Sequence, residues 1–391
     1  MGNIHYTDFE LSIEKKGGQH YHAKVLRSLC GEPEIDFKLP FSNLELENFI
    51  LKIGSARRGM RRINTPEMQA VREFGAKLFE SIFTGDVRAC LISSENAATS
   101  EGMGLRVKLR LDAPDLINIP WEFLYDASHG RFLALFEKTP IVRYIDIMDR
   151  TEPLKVKLPL SMAVMISSPE DYPALDVGRE KANLGNAVKE LVRNGMLNIT
   201  WMEQASLPAL QDQLMRGQYH IFHFIGHGGF DEANQDGILV MEDEYKRGYF
   251  VSGERLATLL GNQPSLRLVV LNSCEGGRTS STDPFAGVAT TLVRTGSVSA
   301  VVAMQLAITD QAAITFAQGL YNAIALGYPV DAAVTQARLA IYATNNDVEW
   351  GTPVLYMRSP DGLIFDIDTY IPPTPPPTPH NPYPKPEDLP Q

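Results

Sequence analysis

Residues 219–231 read YHIFHFIGHGGFD. The apolar run Ile221–Ile225 has the length of a buried strand, and it stops abruptly in Gly226, His227, Gly228 and Gly229. Residues 266–277, LRLVVLNSCEGG, share the same plan: an apolar strand, then Cys274, then two glycines shortly after. Between them lie a hairpin-like stretch, GILVMEDEYKRGYFV (237–251), and a helix, SGERLATLLG (252–261). Ser252 is the expected cap of that helix, with Glu254 early in its first turn.

The alternation extends outward over residues 160–368. LSMAVMISS, NITWME, SAVVAMQLAI and PVLYMRS read as further strands. Helical patterns fall at 179–193, 207–216, 285–295, 310–326 and 330–343. Continuous apolar strands separated by helices indicate an α/β fold, a parallel sheet covered on both faces. His227 and Cys274 then stand at the downstream ends of consecutive strands. If those strands are neighbours, both side chains meet at the carboxyl edge, where open α/β sheets place ligands.

That pairing has a chemistry. A protonated thiol is a poor nucleophile; a nearby imidazole can take its proton and later protonate a leaving amine. Gly228 and Gly229 let a substrate backbone approach closely. Their N–H groups, with that of Cys274, could hold the oxyanion of a tetrahedral intermediate, each donor typically worth roughly 3 kcal/mol of barrier.

The segments HFIGHG (223–228) and LVVLNSCEGG (268–277), with FAGVATTLVRTGSVSAVVAMQLAITD (285–310) and FAQGLYNAIALG (316–327), resemble a CHAT domain. This is a caspase-like peptidase family related to caspases, metacaspases and separase. LRLDAPDLINIPWEFLYD and FLALFEKTPIVRYI upstream are similar to the segment that opens bacterial CHAT proteins, so the resemblance covers roughly 105–368. It implies a caspase-like, mostly parallel sheet sandwiched by helices and a cysteine endopeptidase. It also implies a His227–Cys274 dyad and Gly228 as an oxyanion donor. By analogy it further implies activation by a partner protein, in bacterial defence or programmed cell death. One departure stands out: many relatives carry a Trp in the strand corresponding to VVAMQLAITD, where this chain has no Trp and Gln305 lies nearby. Asp310 matches an acidic position that helps separase-like relatives select a basic side chain. Thr309 or Asp310 also suits the cap of the following helix, and both readings stay open. Asp231, on the loop past His227, is a second acidic candidate for substrate binding, with a solvated turn residue as its plainer reading.

Other features favour ordinary roles. His220, His223 and His227 lack the nearby carboxylate or Cys that would make a metal site, so core roles are expected and no metal or cofactor is called for. Glu275 beside the thiol would raise its pKa and is not assigned to activation. RRGMRR (57–62) reads as a solvated loop, and Trp121 and Glu122 as an anchor of the N-terminal region on the sheet. There is no phosphate loop with Lys-Ser/Thr and no Gly-x-Ser-x-Gly elbow.

The chain has 391 residues, a formal net charge of −11 and three cysteines, Cys30, Cys90 and Cys274, with no CxxC spacing. The acidic balance argues against nucleic-acid or anionic-membrane partners. The cysteine usage argues for a reducing, cytoplasmic setting. No apolar run suits a signal peptide or a spanning helix. Three regions are expected. Residues 1–150 form an α+β supporting or regulatory region, with a helix from Pro66 and a clean strand at 104–111. After a Pro-bearing linker, residues 158–368 form the peptidase domain. Residues 369–391, with ten prolines from 372 onward, form a disordered tail able to recruit a partner. The rival to the peptidase is a silent interaction module that uses this tail and the N-terminal region.

Overall fold

The computed structural model describes residues 5–55, 65–148, 152–231, 236–272, 283–344 and 348–368. The Arg-rich loop 57–62, Cys274, Glu275 and the Pro-rich tail 369–391 lie outside the described residues.

In chain order the first half runs β1 (Tyr6–Gly17), β2 (His20–Arg27), β3 (Glu34–Lys38), α1 (Asn43–Ser55), α2 (Pro66–Ile82), α3 (Gly85–Ser100), β4 (Gly104–Leu111), α4 (Pro114–Ile117), β5 (Tyr125–Asp126), β6 (Arg131–Phe132) and β7 (Ile141–Tyr144). The second half opens with β8 (Leu154–Val156), β9 (Leu160–Ile166), α5 (Val177–Ala187), α6 (Lys189–Arg193), β10 (Leu197–Trp201), α7 (Leu207–Arg216), β11 (Ile221–Ile225), β12 (His227–Asp231), β13 (Asp236–Glu242) and β14 (Gly248–Ser252). It closes with α8 (Gly253–Gly261), β15 (Leu268–Asn272), α9 (Ala286–Arg294), β16 (Ala300–Met304), α10 (Asp310–Ala325), α11 (Val330–Ala343), β17 (Pro353–Met357) and β18 (Phe365–Ile367).

Eleven strands form one sheet in the order β10-β9-β11-β15-β16-β17-β7-β4-β1-β2-β3. It is mostly parallel; β17 runs antiparallel to β16, and β2 antiparallel to β1 and β3. β17 pairs with β7, so the sheet continues without a break from the second half into strands of the first. The period-2 rule sorts the strand β11 between two cores. Ile221 and Ile225 join the large cluster that takes in Phe316, Leu320 and Val334 of α10 and α11. Phe222 and Phe224 join a second cluster with Leu256 of α8 and Leu292 of α9.

Local signals place the helices as read. Pro66 occupies the first turn of α2, with Thr65 accepting from the Met68 N–H; Ser252 caps α8 by accepting from the Arg255 N–H. The reading of 179–193 as one helix is divided at Val188 into α5 and α6.

Trp121 and Glu122 anchor the N-terminal region. Trp121 is fully buried, its indole N–H donating to the Leu116 carbonyl at 2.8 Å. Glu122, also buried, accepts from Arg143 of β7 at 2.9 Å and from the Gln305 amide at 2.9 Å. Gln305 further donates to the Gly351 carbonyl and accepts from Arg143. Gln305 is thus part of a buried polar network. A buried ion pair is costly to break because the surviving charge stays desolvated. Glu122→Ala is therefore expected to lower unfolding stability by about 3 kcal/mol. Denaturant unfolding measures this, and Glu122→Gln, which keeps an acceptor, should lose less.

Candidate active site

The site is set by how β11 and β15 pair. They are parallel neighbours, with Ile221 opposite Leu268 and Ile225 opposite Asn272. Each pair differs by 47 in sequence. The bond from the Gly226 N–H to the Asn272 carbonyl, 3.1 Å, continues the ladder one residue past β11. On the other flank the Ser167 N–H donates to the Ile225 carbonyl at 2.8 Å, tying in the end of β9.

His227 is not a turn residue. After a bend at Gly226 it opens β12, the first strand of a three-stranded antiparallel sheet with β13 and β14, and it lies opposite Val240. The hairpin read at 237–251 is the rest of that sheet. Gly228 is required here by contact. A Cβ on it would come within 2.5 Å of the Phe285 ring and 2.6 Å of the Pro284 carbonyl oxygen. Gly237 is likewise pressed against the first turn of α9, where a Cβ would meet the Val288 nitrogen at 2.2 Å. The glycines let the 284–288 segment lie directly on β12 and β13.

The His227 side chain is 2% exposed. Its ring packs against Tyr172, centroids 5.4 Å apart, and Tyr172 in turn meets the edge of Phe250, a largely exposed side chain. Neither imidazole nitrogen has a hydrogen-bond partner among the described residues. Burial pushes the pKa of His227 below the ordinary histidine value. The ring is therefore neutral near pH 7, and one of its nitrogens can accept a proton, as a general base must.

The other histidines are committed elsewhere. His220 accepts from the Ser161 N–H at 2.8 Å, and His223 is bonded through Nδ1 to the Tyr321 hydroxyl at 2.5 Å. Among the described residues no three His, Cys, Asp or Glu side chains converge as a metal site, and no helix is long and apolar enough to cross a membrane.

The two acidic candidates are placed differently. Asp231 ends β12 opposite Asp236, four residues from His227 and so about 13 Å along the strand. Asp310 is the first residue of α10, and its carboxylate is ion-paired with Arg179 of α5. The cap itself is Thr309, whose hydroxyl accepts from the Ala312 N–H and donates to Glu349. Cys274, the predicted nucleophile, lies outside the described residues; in sequence it stands two residues after Asn272, as His227 stands two after Ile225.

Sequence reasoning missed Tyr172 and Phe250. The signal was faint: one aromatic in the Pro-flanked stretch SPEDYPALD after a sheet strand, and adjacent aromatics in YFV of the hairpin.

The model of the CHAT domain matches residues 72–383. No curated protein sequence matches the chain. Among solved structures, separase in the Saccharomyces cerevisiae separase-securin complex is similar, with TM-score 0.51 and 12% identity over 90% of this chain and 30% of that one. This chain therefore spans under a third of the separase it matches. The Arg-specific cysteine proteinase gingipain R gives TM-score 0.40 at 12% identity, covering 82% of this chain and 75% of that one. The Porphyromonas gingivalis RgpB complex of pro- and mature domains gives 0.41 at 12%, covering 82% and 77%.

The sign of the His227 shift can be measured in Cys274→Ala protein, where no thiolate perturbs the ring. Its NMR titration is expected below 6.5. Since the folded state favours the neutral ring, the same group should cost stability as pH falls through 6.5 toward the folded pKa.

Proposed function

The chain belongs to the CHAT domain family, and from that premise we propose that it is a cysteine endopeptidase in which His227 and Cys274 form the catalytic dyad. The observation that carries the reading is the shared offset. Strands β11 and β15 pair with a constant displacement of 47 residues, and 47 residues also separate His227 from Cys274. Two residues of chain reach about 7 Å at most, so each side chain is delivered from a strand end held level with the other.

In the proposed reaction His227 removes the Cys274 thiol proton. The thiolate attacks the scissile carbonyl carbon, and the resulting oxyanion is held by the Gly228 and Cys274 backbone N–H groups. The imidazolium gives its proton to the departing amine, leaving a thioester. Water, deprotonated by His227, then hydrolyses the thioester and frees the carboxylate.

Control by a partner protein belongs to the same reading. With His227 buried behind Tyr172, a peptide reaches the base only when that cover moves. A partner that opens the site would switch the enzyme on, in a defence or cell-death setting; the N-terminal region is its proposed regulatory module.

The test uses fluorogenic peptides that differ at the residue before the cut, with and without candidate activators. Cleavage is expected, with a loss of at least ~10³-fold in Cys274→Ala and in His227→Ala. No cleavage under any activating condition, or equal cleavage by Cys274→Ala, would leave the interaction-module reading. A thiol-reactive peptide probe adds a second readout. It should label Cys274 ahead of Cys30, which is exposed, and Cys90, which is buried.

Asp310 is proposed to select a basic side chain by exchanging Arg179 for it. Asp310→Asn should then lower kcat/KM for Arg and Lys peptides at least ~10-fold relative to Leu peptides. An equal loss on all peptides would assign Asp310 to the start of α10 alone.

A further inference from the structure

Beneath the carboxyl edge, between the sheet and helices α5 and α10, a small cavity is lined by residues of β11, β15 and β16. Three buried polar atoms in its wall have no hydrogen-bond partner among the described residues: Asn183 Nδ2, His223 Nε2 and Asn272 Oδ1. His223 and Asn272 are 3% and 6% exposed. Leaving three such atoms dry would cost on the order of 1–3 kcal/mol each, too much for a protein of ordinary stability to carry without return. The lining around them is mostly apolar, with Ile225, Val270, Met304 and Phe316 among its residues, and Glu180 and Tyr321 as its further polar members.

Size and donor pattern decide what answers them. The cavity offers about 20 Å³ to the centre of a water molecule. One water needs roughly 10–15 Å³, and a substrate side chain needs several times more. The three atoms are mixed in kind. Asn183 Nδ2 donates and Asn272 Oδ1 accepts. His223 is neutral, because burial pushes its pKa down to about 3. Its Nδ1 is taken by Tyr321, so Nε2 is either a donor or an acceptor according to how that hydroxyl points. A metal ion would face the Asn183 donor, and an anion would face the Asn272 acceptor and the Glu180 carboxylate. Water alone serves all three, accepting from Asn183, donating to Asn272, and meeting His223 Nε2 in either tautomer. Rotation of either amide is tolerated for the same reason.

We propose that this cavity is a structural water site. One water bonded to Asn183, His223 and Asn272 braces helix α5 against the ends of β11 and β15. Asn272 is thereby a positioning residue. Its carbonyl holds the Gly226 N–H, one residue before His227, and its side chain is fixed two residues before Cys274. The proposal concerns the fold at the strand ends and stands whether or not the dyad cleaves peptides.

A high-resolution crystal structure of the full chain reads the site directly. Density for one water within hydrogen-bond distance of all three atoms is expected. A dry cavity, an ion there, or side chains paired with one another would overturn the proposal. The bracing is read by amide hydrogen exchange in Asn183→Ala, which removes a donor but no core packing of the strands. Exchange at the Gly226 amide should rise about fivefold to tenfold, with the Phe222 amide unchanged. An unchanged Gly226 rate in a folded variant would refute the positioning role. If Asn183→Ala does not fold, Asn183→Asp, which keeps the shape and replaces the donor, is read the same way.

Discussion

The in-register parallel pairing of β11 with β15 is the constraint on which the rest of the molecule depends. A slip of one residue would turn every β11 side chain to the opposite face. Phe222 and Phe224 would then enter the cluster built around α10 and α11, while Ile221, Ile225 and His223 would enter the one built around α8 and α9. His223 would also lose Tyr321. Both faces are buried, so both oppose the slip. The 47-residue displacement is thus fixed far more firmly than the hydrogen bonds of five residue pairs would fix it alone. His227 and Cys274, each two residues beyond its strand in sequence, are separated by the same 47 residues.

Asp283, ahead of α9, is held in place as well. The Asp283 carboxylate accepts from the Phe285 and Ala286 N–H groups and so starts α9, while the Asp283 N–H donates to Asn118 at 3.4 Å. Phe285 is then pressed onto Gly228, a contact only glycine permits. Asn118 belongs to the stretch that continues into Trp121 and Glu122, and Glu122 is locked to β7 through Arg143. The first half of the chain therefore touches both the sheet and Asp283, just before α9. A second buried ionic group works in the same direction. Arg106 and Lys108 of β4 bind Asp8 of β1, and Arg106 reaches Asp331 of α11. Motion of the first half against the second would expose these charges, so the halves are coupled by electrostatics as well as by the shared sheet.

Most of this architecture was legible because it is written in local patterns. Apolar runs of five residues marked the strands of the second half, and Pro66 and the Ser252 cap marked helix starts. The resemblance to the CHAT domain pointed to the caspase-like arrangement, which the similarity to separase supports at the level of fold. The elements that escaped have little local signal. α3 (Gly85–Ser100) is rich in Ser, Thr and Ala with a weak apolar stripe, and β3 has only Ile35 and Phe37 as apolar residues. β12 escaped because Gly228 and Gly229 depress any strand reading; it exists through pairing with β13 and contact with Phe285, which are tertiary. The polar cavity was invisible for a related reason. His223, Asn183 and Asn272 are far apart in sequence, and nothing in the apolar strands around two of them marks that they line one cavity.

Burial of His227 has a consequence for how such a site would be controlled. An ordinary thiol titrates near 8.5, and His227 is held below 6.5 by desolvation. Desolvation of the imidazolium thus makes the ring a weaker acceptor for the proton of the proposed nucleophile. In the covered state the imidazole is neutral and gains little by taking up a proton. Water or substrate dipoles admitted past Tyr172 would stabilise the imidazolium and reverse this. The side chains that hide the base would in that way also hold its partner inactive, so uncovering the site and charging it would be a single event.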